Sequence, residues 1–304
     1  MRTDFTAVDT PFISIVIPTY NRPHCLRHCL QSIAQIRYPS DRFEAIVVDD
    51  GSTVPLETVT AEFQSQLPLT VVYQTNAGPA TARNTGSRIA KGDYIAFTDD
   101  DCTPTPDWLA AFARQFARSP NSLLGGQTLN MLPHNLYAVA HQEMMDYFYR
   151  YYNAHPKSAR FFASNNLALP ARLFFDLGGF DSSFPLAAGE DRELCDRWLH
   201  QGYVLDYVPD ARVHHAHPMT LRSFWRQHFR YGQGAFHFRR ICAQRRAGKM
   251  TVESLSFYLD LLLYPLKQCP LGTKVQLTLL FFCSQVANTL GFFWQGFRDE
   301  KGFQ

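Results

Sequence analysis

Residues 12–98 repeat one phrase: a short apolar run rich in β-branched residues, a polar turn, then a segment of helical length. The runs at 12–17, 43–48, 69–73 and 94–97 are mostly continuous, as strands covered on both faces must be. Segments 22–35, 54–66 and 79–90 are long enough for the intervening helices. Such alternation implies parallel pairing through right-handed crossovers, so the expectation is a Rossmann-like, mostly parallel α/β sheet flanked by helices. Ligands of such sheets sit beyond the carboxyl ends of the strands.

That rule directs attention to PTYNR (18–22), DDGS (49–52) and TDDDC (98–102), which follow three of the predicted strands. Asp99, Asp100 and Asp101 repel one another unless a cation or solvent relieves them. A hard divalent ion shared with a substrate phosphate is one reading, a solvated acidic turn the other. Asp49 and Asp50 can accept hydrogen bonds from a nucleobase or ribose, or form a plain Asp-Gly turn. Arg83, in NAGPATARNTG, either supports a phosphate or the aspartate rim or is a surface arginine. Glu190 and Asp191 open a helix after Gly189, as partners of its dipole or as a site for a general base. His214, His215 and His217 offer imidazole ligands or a polar surface. The aromatic run at 147–152 suits packing or stacking on an acceptor, and Cys102 has no histidine tied to it by local pattern.

From about residue 105 the alternation loosens. Helices are expected at 107–118, 136–152 and 189–199, and strands at 122–130 and 161–169. Between residues 218 and 252 stand eight Lys or Arg and no acid, followed by apolar stretches at 255–266 and 275–294. The second approaches the roughly 20 residues of a membrane span but contains Gln276, Ser284, Gln285, Asn288 and Thr289. It reads as lying on or dipping into a membrane rather than spanning it, with helices packed within a soluble protein as the alternative. The chain divides accordingly into 1–217 and a basic, apolar helical extension, 218–304.

Several classes lose support. A net charge of +2 over 304 residues is too small for the field of a dedicated nucleic-acid binder. Seven cysteines without a CxxC favour reduced thiols in a cytosolic compartment, and MRTDFTAVDTPF lacks a signal-length apolar run. No GxxxxGK[ST] and no GxGxxG after the first strand argue against kinases, ATPases and dinucleotide oxidoreductases.

Taken in order, SIVIPTYNR, VVDDGS, NAGPATARNTG, YIAFTDDDC, NNLALPARLFFDLGGFD and GEDRELCDRW resemble the family 2 glycosyltransferases, an inverting group with the GT-A nucleotide-sugar fold, over about residues 12–217. The resemblance implies that Pro18, Tyr20, Asn21 and Asp50, with Asp49 as the neighbouring alternative, cradle the nucleoside of a nucleotide-diphosphate sugar. It implies Mg²⁺ or Mn²⁺ on Asp99 and Asp101, with Asp100 blurring the DxD pattern and His215 preferred over His214 as a further ligand. It maps the general base to Asp191, with Glu190 beside it, and matches a following LxxR by Leu194 and Arg197. Gln227-His228-Phe229-Arg230-Tyr231 resembles the QxxRW element of processive synthases, with Tyr231 replacing Trp. Without the several transmembrane helices of those synthases, transfer of one or a few sugars to a glycan or lipid-linked acceptor is expected. The location expected is cytoplasmic, peripheral on an anionic inner membrane face. A sugar nucleotidyltransferase would need a glycine-rich basic loop where PTYNRPH stands, and a non-catalytic binding protein of the same fold would be expected to lose some of the acids.

Overall fold

A computed structural model describes residues 10–154, 159–184, 188–269 and 271–300. The first nine residues, read above for a signal sequence, lie outside them. The strand-helix alternation is present as β1 (Ile13–Thr19), α1 (Pro23–Ile33), β2 (Phe43–Asp49), α2 (Glu57–Ala61), β3 (Leu69–Tyr73), α3 (Pro79–Ile89) and β4 (Tyr94–Thr98). β1 and β2 are buried at every position, as their unbroken apolar runs require. The expected helix over 54–66 shrinks to five residues, because the Thr60 hydroxyl bonds back to Leu56 O and Phe63 N turns to Thr60 O.

The chain continues through β5 (Cys102–Pro104), α4 (Trp108–Phe116), β6 (Leu123–Asn130), α5 (Leu136–Tyr152), β7 (Asn166–Pro170), α6 (Ala171–Asp176), α7 (Glu190–His200) and β8 (Leu205–His215). The eight strands form one sheet in the order β3-β2-β1-β4-β7-β6-β8-β5. β1, β2, β3 and β4 pair in parallel, and β6 with β8 likewise; β7 runs antiparallel to both β4 and β6, and β5 to β8. The sheet is therefore mixed in its second half, where the alternation in the sequence fades.

Residues 161–165, expected in strand, are irregular because their backbone serves side chains instead of a ladder. Ala163 N donates to the Tyr149 hydroxyl and Ser164 N to Asp191. Asn166 then fastens the sheet where β6 and β8 shift register between Gly126 and Gln127. Its amide donates to Gln127 O and Ala211 O, and its carbonyl accepts from Trp108 Nε1 at 2.8 Å. A β-carbon on Gly126 would lie 2.1 Å from Ala211 O, so no other residue fits that approach.

Three helices complete the described chain: α8 (Leu221–Arg245), α9 (Leu255–Gln268) and α10 (Lys274–Glu300). Thr220 and Ser223 cap α8 reciprocally. α8 and α10 meet backbone to backbone, since a β-carbon on Gly232 would lie 1.9 Å from Asn288 O and one on Gly291 1.9 Å from Phe229 O. α8 is tied to α7 by Arg245, which pairs with Glu193 and with Asp196. A third apolar core joins α5, α8, α9 and α10 through Met144, Phe224, Leu261 and Phe281.

Candidate active site

The carboxyl ends of β1, β2 and β4 bring three loops together. Asn21, at φ +56°, accepts from Thr53 N at 2.7 Å, and its own N–H donates to Ser52 Oγ, which joins the first two loops. Asp49 accepts from Ser52 N at 2.8 Å. The Asp50 carboxylate accepts from Gln74 Nε2, Ala77 N and Gly78 N at 2.7–2.9 Å, so it organises the entry to α3. Pro18 is buried in β1, and Tyr20 is exposed.

In the acidic turn the three aspartates diverge. Asp100 is fully buried, accepting from Thr19 Oγ1 at 2.7 Å and lying 2.9 Å from Arg22 Nη2. Burial pushes its carboxyl up to about 7 against the pull of Arg22. Asp99 and Asp101 instead line a cavity of about 1140 Å³ that holds Arg22, Arg83, Glu190, Asp191, His215 and His217 as well. Asp101 Oδ2 receives Arg22 Nη1 at 2.6 Å and faces His217 Nδ1 at 3.5 Å. Its Oδ1 lies 3.4 Å from His215 Nε2. Burial favours the neutral acid here, but the two histidines and Arg22 outweigh it and hold Asp101 well below the usual carboxylate range.

A divalent cation fits this corner. Asp101 Oδ1 is buried without a hydrogen-bond partner among the described residues, and ligand atoms of Asp101, Cys102 and His215 all lie within 4.8 Å of one another. Asp99 stands on the same cavity wall, part-exposed, and the oxygen and imidazole donors suit Mg²⁺ or Mn²⁺. His217, passed over in the sequence in favour of His215, is brought to the same carboxylate; its other nitrogen lies 3.0 Å from Gln227 Oε1. His214 lies outside the cavity wall.

Arg83 links this corner to the helix opening at Gly189. Buried at 2% exposure, it donates to Asp99 Oδ1 at 2.7 Å and to Glu190 Oε1 at 3.0 Å. Its neighbour Asn84 exchanges two 2.8 Å bonds with the backbone of Phe180. Glu190 also accepts from Ala188 N, and burial together with the charge on Asp191 raises its carboxyl to about 7. Asp191 lines the cavity. Its Oδ1 accepts from Arg192 N at 2.8 Å, whereas Oδ2 has only a long 3.4 Å contact from Ser164 N. Burial raises Asp191 above the ordinary aspartate range.

The remaining walls come from segments on both sides of residue 217. Gln227, Arg230 and Tyr231 of α8 face the acids, and Tyr149 and Tyr152 of α5 line the cavity with Phe257, Tyr258 and Tyr264 of α9. The Gln227 amide donates to the Tyr231 hydroxyl, holding that motif on the wall. Thus Arg83, Asp99, Asp101, Glu190, Asp191 and His215 share one cavity, Asp100 lies behind it, and Pro18, Tyr20, Asn21, Asp49 and Asp50 form the neighbouring rim, joined to it through Arg22. Arg22 is a site residue that sequence reasoning did not single out, although PTYNR contains it, and His217 stood there only as one of three candidate imidazoles.

The profile of glycosyl transferase family 2 matches residues 14–176, more than half of the chain and all of the acidic loops at the strand ends. The chain belongs to glycosyl transferase family 2. Among family relatives, the pre-mycofactocin glycosyltransferase of Mycobacterium tuberculosis is 30% identical over 230 residues, covering 73% of this chain and 46% of its own length. The chain thus spans about half of that relative. Glycosyltransferase AglE of Haloferax volcanii is 28% identical, over 74% of this chain and 73% of its own length. The GT-A fold is shared with the mannosyltransferase PcManGT from Pyrobaculum calidifontis, solved with GDP-Man and Mn²⁺, at a TM-score of 0.62 and 21% identity over 91% of this chain and 87% of that one. TarS residues 1–349 from S. aureus, solved with UDP-GlcNAc, align at a TM-score of 0.53 and 15% identity over 96% of this chain and 92% of that one.

Proposed function

We propose that this family 2 chain is a metal-dependent, inverting glycosyltransferase that moves a sugar from a nucleotide-diphosphate sugar to a hydroxyl of a lipid-linked or membrane-proximal glycan. The observation that carries the reading is one cavity in which Asp99, Asp101 and His215 face one end, Asp191 stands on the wall, and Arg83 ties Asp99 to Glu190, the residue before Asp191. Asp99, Asp101 and His215 would hold Mg²⁺ or Mn²⁺, which when bound supplies Lewis-acid neutralisation of the diphosphate, worth several kcal/mol. Pro18, Tyr20 and Asn21 cradle the nucleoside on the adjoining rim, with Asp50 shaping that rim by holding the Gln74–Gly78 loop and Asp49 as the neighbouring alternative for direct contact. Arg83 orients Asp99 through their 2.7 Å ion pair.

Asp191 Oδ2, the less engaged oxygen, takes the proton of the acceptor hydroxyl. The acceptor oxygen forms its bond to the anomeric carbon from the face opposite the leaving group, and the bond to the diphosphate breaks with its electron pair. A single in-line displacement inverts the anomeric configuration. The location consistent with this reading is peripheral, on the cytoplasmic face of a membrane.

A panel of UDP-, GDP- and dTDP-sugars with Mn²⁺ or Mg²⁺ tests the reading through release of nucleoside diphosphate. Metal-dependent release from one donor class is expected; no release and no nucleotide-induced thermal shift from any donor would remove it. Asp101→Asn should abolish the Mn²⁺-dependent rise in melting temperature that binding to the native state produces, together with the release. An unchanged Mn²⁺ shift in that variant would take Asp101 out of the metal set.

The pH profile gives a separate check. Asp191 works as a base only when ionised, and burial raises its pKa, so turnover should climb with pH through an inflection above the ordinary aspartate value of 3.8. A plateau already reached at pH 4 would assign the base elsewhere.

A further inference from the structure

Fourteen of the twenty-five exposed large apolar side chains lie between Met250 and Phe297, in α9, α10 and the segments beside them. On α10 they form one stripe, Val275, Leu279, Phe282, Leu290, Phe293 and Phe297, each more than half exposed, with half-buried Val286 filling the gap. Opposite it, Leu277, Leu280, Phe281, Ser284, Ala287 and Gly291 are buried against the rest of the chain. On α9, Leu255, Leu259, Leu263 and Leu266 point outward in the same way.

We infer that the outer face of α9 and α10 lies flat in the surface of an anionic bilayer, and that α9 is the wall between that bilayer and the catalytic cavity. The spacing of the α10 stripe is 4-3-4-4-3-4, an eleven-residue repeat, so on a straight helix it drifts by only about 20° per repeat. The eleven-residue spacing does not match the seven-residue repeat of a left-handed coiled coil, and over two repeats the stripe stays close to one plane. No charged residue interrupts α10 from Val275 to Phe297. Lys249, ahead of α9, and Lys274 and Arg298, at the two ends of α10, have no acidic partner among the described residues, which suits anionic headgroups.

Lying flat is distinguished from spanning by what α10 carries with it. It is long and apolar enough to cross, but α8 is packed along it at Gly232 and Gly291 and bears six arginines. Spanning would draw several of those into hydrocarbon, at roughly 2.5–3.5 kcal/mol each, or tear α8 from α10. In the plane, only the exposed stripe enters lipid.

α9 then has two working faces. Outward are Leu255, Leu259, Leu263 and Leu266, with the exposed Asp260–Lys267 ion pair beside them; inward, Phe257, Tyr258, Leu261 and Tyr264 line the cavity that contains Asp191. One helix diameter of about 10 Å separates bilayer from cavity, so an acceptor anchored in lipid reaches Asp191 past α9. This last step rests on the glycosyltransferase reading above; the docking face does not.

The test is flotation with vesicles of phosphatidylcholine alone or mixed with phosphatidylglycerol, with nucleoside diphosphate release measured on the same samples. The wild-type chain should float with the anionic vesicles, less so in high salt, and Leu279→Ser with Phe293→Ser should cut that partition about tenfold or more. Both side chains are exposed, so the variant should keep its melting temperature and its release of nucleoside diphosphate. Release without flotation of the wild type overturns the docking face and leaves the enzyme reading intact. Flotation without release does the reverse. A wild-type dimer that the same variant converts to monomer, with no flotation, assigns the stripe to a second copy and overturns the inference.

Discussion

Asp191→Asn should lower turnover by about 10²–10⁴-fold while leaving nucleotide binding near the wild-type level. The substitution keeps size and one carbonyl oxygen, so the bond from Arg192 N at 2.8 Å can persist and the opening of α7 need not shift. What disappears is a carboxylate at the opening of α7 whose Oδ2 has one long contact and whose pKa burial raises. A base acts on the acceptor, so its loss belongs in kcat rather than in donor affinity. The measurement is kcat beside the nucleoside-diphosphate thermal shift. A fall below tenfold, or an equal loss of nucleotide binding, would make Asp191 a structural residue of α7.

Arg83→Met should cost about 3–5 kcal/mol of stability, the usual penalty for leaving a buried charge without its partner. Arg83 is the guanidinium on both Asp99 and Glu190, and Glu190 is itself buried. The effect has a pH signature. In the variant the bond from Ala188 N remains but the guanidinium that opposes burial at Glu190 is gone, so its folded pKa rises further above the ordinary value of 4.5. A raised carboxyl pKa means that the folded state holds the proton more tightly, so stability falls as pH rises from the unfolded toward the folded value. Urea unfolding should therefore give a larger loss at pH 8 than at pH 5, and Glu190→Gln in the same background should recover part of it. A loss that is small and equal at both pH values would return Arg83 to a packing role.

The parallel half of the fold is written plainly in the sequence because β1 and β2 are buried on both faces, which leaves no polar interruption to obscure them. β8 was not legible: LDYVPDARVHH mixes Pro209 with charges because only part of it is buried, and it pairs with β6 across a register shift that no local pattern encodes. The 25-residue α8 is a basic block in the sequence, and its single helix is set by a Thr220–Ser223 cap and by glycines whose need for space is visible only against α10. In the site, motif order was enough to point to Asp99, Asp101 and Asp191. It could not reveal that Asp100 faces inward to Thr19, that Asp50 is occupied by the Gln74–Gly78 loop, or that His217 stands beside His215, since each depends on which way one side chain turns.

The contact between Gly291 and Phe229 makes one wall of the cavity depend on residues far along the chain. One face of α8 carries Gln227 and Tyr231 to the catalytic cavity, and another is seated against α10. A nascent chain can therefore assemble its sheet and the acids at the strand ends while α8 still lacks its support. A chain cut short before residue 291 would keep the loops at the strand ends but leave α8, and the cavity wall it forms, without its seat.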